Sequence, residues 1–99
     1  MIGEQKRQGD LLIIRVAVMP EGVEPVRDLV LARGEATGHA HVLSGGQVFR
    51  AFDGALFFRA DEAVRLDHDE HATLSFEPGL FMVRRQREFF ESEPRVVGD

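Results

Sequence analysis

The four histidines of this chain fall into two close pairs, His39-Ala40-His41 and His68-Asp69-Glu70-His71. Imidazole suits zinc, copper, iron and nickel, so the pairing points to a bound transition metal ion, with zinc expected ahead of iron, nickel or copper. Residues two apart on a strand face the same side, so His39 and His41 can reach one ion without bending the backbone. His68 and His71 are three apart and would face opposite sides of an ideal strand. They meet one ion only if Asp69-Glu70 forms a turn, a bulge or one helical turn. Four imidazoles would close a tetrahedral site, whereas three would leave a position for water or substrate.

Charged residues near the pairs suggest what such an ion would work with. Glu35 precedes His39 by four positions inside Gly34-Glu35-Ala36-Thr37-Gly38, where the glycines allow close approach to a ligand. Glu35 and Glu70 are the candidate proton carriers, and either, or Asp69, would also serve as a ligand or orient a ring. Arg84, Arg85 and Arg87 alternate along the last apolar run, with Arg85 and Arg87 on the face of Phe81 and Val83. On that face an arginine needs a partner, and Arg85 and Arg87 are the candidates for holding an anionic group. The plainer reading is a solvated edge strand whose charges block aggregation, or pairing with the acidic residues Asp61, Glu62, Asp67, Asp69 and Glu70.

Strands must position these groups. Leu11 to Val18 is β-branched and continuous, as a buried strand would be. Met19 to Pro25, with two prolines and a glycine, reads as a loop. Extended segments follow at Leu29 to Ala32, His39 to Leu43, Gln47 to Phe52 and Ala55 to Ala60. The last two flank Asp53-Gly54, a type I′ hairpin signal. Ala63 to Leu66, with a helix over Asp61 to Leu66 as the alternative, Ala72 to Phe76 and Leu80 to Phe90 complete the series. The expectation is an all-β chain, a small barrel or sandwich of six to seven short strands, in a single domain over residues 1–99. Residues 1–9 and 94–99 are expected to be loose ends.

Bulk properties narrow the function classes. There are 12 Lys and Arg against 17 Asp and Glu, a net charge of −5, which gives no general attraction to phosphate backbones and makes nucleic acid an unlikely partner. Eight Phe with no Tyr or Trp suit a core or an interface better than a base-stacking platform. The absence of cysteine excludes disulfides, thiolate metal sites and a thiol nucleophile. No apolar run is long enough to span a bilayer, so no membrane role is expected. Met1 to Asp10 is polar and lacks the apolar stretch of a signal peptide, so the expected location is cytoplasmic.

The segments Gly-Glu-Ala-Thr-Gly-His-Ala-His over residues 34–41, His-x-x-His over 68–71 and Gln-Arg-Glu-Phe over 86–89 resemble a group of short, uncharacterised bacterial proteins. His-x-His on a strand after a glycine-bearing loop is also loosely similar to the first cupin metal motif. Gly34 stands one position closer to His39 than the cupin spacing, and Gly45, Gly46 and Gln47 occupy the place of the cupin glutamate. Pro78-Gly79 follows the second histidine pair instead of preceding a histidine, so the likeness implies no residue roles.

Together these features predict a small metal-dependent hydrolase or oxygenase acting on an anionic small substrate. His39, His41 and His71 would be the ligands, with His68 as a fourth ligand or behind them. Two alternatives belong to other classes. One is a non-catalytic metal site for structure, storage or sensing. The other is a metal-free, homo-oligomeric interaction module using outward-facing rings of the pairs Phe57-Phe58 and Phe89-Phe90.

Overall fold

A computed structural model describes residues 4–34 and 38–85. Its ten strands are β1 Gln5–Gln8, β2 Leu11–Val16, β3 Glu24–Val26, β4 Val30–Arg33, β5 Ala40–Leu43, β6 Gln47–Arg50, β7 Leu56–Ala60, β8 Val64–Asp67, β9 Leu74–Phe76 and β10 Gly79–Arg85. They form two antiparallel sheets, β1-β2-β10-β7-β6-β3 and β4-β5-β8-β9. Among the described residues neither sheet closes on itself or joins the other by strand pairing, so the all-β architecture is a sandwich and not a barrel. Among the described residues no helix is long and apolar enough to cross a membrane.

Alternation explains how the sheets stack. On β10, Phe81 is 1% exposed while its neighbours on either side are only partly covered. On β8, Val64 and Leu66 are buried and Arg65 is exposed. Inward residues of the larger sheet (Leu11, Ile13, Val48, Phe58, Phe81) meet Leu31, Leu43, Val64, Leu66 and Phe76 of the smaller one. Phe58 stacks on Phe81 at 4.7 Å between ring centroids, and Phe76 meets both rings edge-on at 5.7 and 5.1 Å. Phenylalanine fills such a seam without leaving a polar group to satisfy, which accounts for the aromatic usage. The Phe57-Phe58 pair splits between the two faces of β7, but Phe57 is itself buried, at 6% exposure.

Several expectations are corrected. Residues 5–8 are not a loose end: they pair with β2 from Gln5↔Ile14 to Gln8↔Leu11. Nor is Met19 to Pro25 all loop, because Glu24–Val26 pairs with β6 as an edge strand, where a proline is tolerated. Added to the eight extended segments, these two strands make ten where six to seven were expected. Residues 64–67 are strand, in line with the extended reading of Ala63 to Leu66, and the helical alternative falls. The β6–β7 hairpin exists, but not with a type I′ turn. The Gly54 amide donates to Ala51 O and the Ala51 amide to Ala55 O, while Gly54 alone in the turn has positive φ, +92°. That is a three-residue loop closed by a glycine bulge.

Candidate functional site

The site lies at one end of the sandwich, where four segments converge. Antiparallel pairing of Val42 with Asp67 sets the start of β5 beside the loop that leaves β8. Pairing of Arg85 with Leu11 sets the end of β10 beside the β1–β2 turn, Gly9-Asp10. The β1–β2 turn has two residues with Gly9 at φ +61°, which fits a type II′ hairpin. An open pocket of about 410 Å³ results, lined by His39, His41, His68, His71, Glu70, Asp10, Arg85, Gly9 and Gly34.

His41 and Leu43 are the inward residues of β5, and His41 is 4% exposed. A buried imidazole needs a partner, and Gln8, 2% exposed, supplies one: its Oε1 lies 2.8 Å from His41 Nδ1. The Gln8 amide nitrogen donates to Leu66 O at 2.8 Å and to Ala72 O at 2.9 Å. Both of those groups only accept, so the Gln8 orientation is fixed by chemistry and its oxygen must face His41. His41 Nδ1 therefore carries the proton and donates it. Its Nε2 lone pair is left to face the pocket. Burial above all lowers the His41 pKa from 6.5 to about 4, with His68, His71 and Arg85 adding to the effect and Asp10 opposing it.

His68 has the opposite tautomer. The Glu70 amide donates to His68 Nδ1 at 3.0 Å, which closes the bend over 69–71 that brings His68 and His71 to the same side. A neutral His68 thus carries its proton on Nε2. Its ring centroid sits 4.4 Å from that of His41 and 4.6 Å from that of His71, while His41 and His71 are 6.3 Å apart and nearly parallel. His39, just before β5, lies 5.7 Å from His68. Its Nδ1 is 3.4 Å from Glu70 Oε1 and its Nε2 3.8 Å from Asp69 Oδ2. Among the described residues, no three His, Asp or Glu side chains already close around a single point as metal ligands would. Filling an ion's shell would require side-chain rotation, and exposed His71 has the room for it.

Arg85 faces inward with Phe81 and Val83, as its position on β10 requires, and its side chain is 26% exposed. It contacts Asp10 Oδ2 through Nε and a terminal nitrogen, both at 3.4 Å, and reaches Arg33 O at 3.4 Å. Its acidic partner is therefore Asp10, not the acidic stretch at 61–70. Within that stretch Asp61 pairs with Arg59, and Asp67 with Arg65. Arg84 is exposed on the other face of the sheet. Glu35, Thr37 and Arg87 lie outside the described residues. Gln8 and Asp10 went unnoticed in the sequence, although Gly9-Asp10 before a β-branched run is a two-residue hairpin signal that would have placed both at this turn.

The chain matches the model of a domain of unknown function, DUF8820, over residues 7–86. It belongs to this family. The DUF8820 match spans both histidine pairs, Gln8, Asp10 and Arg85, so the whole pocket falls within the family domain. Neither curated proteins nor solved structures gave a match to the chain.

Proposed function

We propose that this pocket binds one transition metal ion, with zinc favoured over iron, nickel or copper, and that the bound ion serves hydrolytic or oxygenase chemistry on a small anionic substrate. The observation that carries the reading is that every histidine of the chain lines one open pocket, with the His41 Nε2 lone pair turned into it. His41, His71 and His39 are the ligands in this reading. His68 lies among them but is not a ligand in this reading, because its Nδ1 lone pair is taken by the Glu70 amide. Three histidine ligands leave room for water or substrate, which favours catalysis over a closed structural site.

A bound divalent ion would polarise an ester or phosphoester and activate water near neutral pH. Glu70, 3.4 Å from His39 and largely exposed, would carry protons between the pocket and solvent. Arg85 contributes positive charge at the pocket wall, tempered by Asp10. The reading is tested by titrating protein without an affinity tag with Co²⁺. Ligand-field absorption that saturates stoichiometrically and disappears in His41→Ala supports it, and a featureless spectrum in the wild-type chain overturns it. Turnover screening of the metal-loaded protein on ester, phosphoester and oxygenase panels then separates a catalytic ion from a structural one.

A further inference from the structure

We propose that Asp10, in the β1–β2 turn, is a metal ligand that chelates the ion together with His41. This inference rests on the metal reading above and adds a carboxylate to its three histidines, so that water or substrate would take a fifth position on the ion. His41 Nε2 and Asp10 Oδ1 are 3.6 Å apart. Because Gln8 Oε1 fixes the proton on Nδ1, Nε2 of the neutral ring presents a lone pair to a carboxylate oxygen. Two acceptors face each other with no proton to share.

Distances decide what belongs between them. A hydrogen bond would bring the pair to about 3 Å or less, and needs a proton that the neutral ring lacks there. A bridging water, at about 2.8 Å from each atom, would hold them roughly 4.5 Å apart. Two donors about 2.1 Å from a tetrahedral ion are about 3.4 Å apart, close to the observed spacing. Of the three, the spacing across a cation lies nearest the observed one.

The surroundings hold Asp10 in this pose. Arg85 contacts Oδ2 at 3.4 Å and leaves Oδ1 turned towards His41. An arginine bound to the outer oxygen of a ligating carboxylate orients it, as the hydrogen-bond partners of metal ligands do. The His71 ring packs against the same turn at Gly9, where a Cβ would come within 2.7 Å of His71 Nε2. The turn thus brings a carboxylate to His41 and its backbone to His71, and imidazole with carboxylate is a mixed nitrogen and oxygen donor set suited to zinc or ferrous iron.

Zn²⁺ affinity, measured by chelator competition on the tag-free full chain, tests the assignment with Asp10→Asn, Arg85→Gln and His41→Ala. Asp10→Asn is expected to weaken binding by more than the ~10–100-fold typical of an outer-shell change, and Arg85→Gln to stay within that range. Weak binding in His41→Ala with unchanged binding in Asp10→Asn would overturn the Asp10 assignment and leave the metal reading standing. Equal binding in all variants, or none in the wild type, would overturn both. If Asp10→Asn does not fold, the wild-type Asp10 ¹³Cγ resonance decides: a saturable shift on adding Zn²⁺ supports ligation, and an unmoved resonance contradicts it.

Discussion

Gln8 Oε1 and His41 Nδ1 stand 2.8 Å apart, both buried, one on the edge strand of the larger sheet and the other on the smaller sheet. The contact joins the two layers at the mouth of the sandwich. It also decides which imidazole nitrogen faces the pocket. Through Leu66 O and Ala72 O, the same glutamine anchors both ends of the loop that carries His68 and His71.

Gln8→Leu keeps the size of the side chain and removes all three bonds. Leu66 O, Ala72 O and His41 Nδ1 lose their partner in or near the interior, which predicts a loss of about 2–4 kcal/mol in urea unfolding. Long-range ¹H–¹⁵N spectra of the histidines should show His41 as the Nδ1–H tautomer in the wild type and a mixture in the variant. An Nε2–H tautomer in the wild type would contradict the orientation argued for Gln8.

Acid should weaken the fold through His41. The unfolded chain takes up a proton near the ordinary value of 6.5, whereas the folded protein resists until about pH 4. The unfolded state therefore binds more protons across that window. The contribution of the buried neutral ring is complete above about pH 6.5 and is lost as pH falls towards 4, amounting to about 3 kcal/mol at most. Urea midpoints of metal-free protein between pH 7 and 4.5 should fall, and should fall less steeply in His41→Gln.

Two glycines separate backbone strain from site geometry. Gly54 has φ +92° and open space where a Cβ would go, so Gly54→Ala should cost about 1 kcal/mol. Gly9 has φ +61° and would set a Cβ against His71. Gly9→Ala should therefore cost more than Gly54→Ala and also weaken Zn²⁺ binding. Equal effects on stability, with binding unchanged in both, would show that His71 does not depend on the turn.

Much of this architecture was legible in the residues. Runs such as Leu11 to Val16 and the alternation Val64, Leu66 declared strands by their pattern, because buried positions on a sheet must be apolar. The need for a bend after His68 followed from strand geometry alone. What stayed hidden lacked an apolar signature. Gln5–Gln8 reads as polar tail because only Gln8 is buried, and it is buried for its hydrogen bonds. Glu24–Val26 holds a proline that only an edge position tolerates. Asp10 belongs to the site by long-range pairing of β2 with β10, which no local window contains.

The most direct test of the central claim is elemental analysis of the chain purified without an affinity tag, wild type beside His41→Ala and His71→Ala. The account predicts stoichiometric transition metal in the wild type and strong depletion in both variants. Unchanged metal content in both, or a wild type free of metal after reconstitution with zinc and iron, would contradict it.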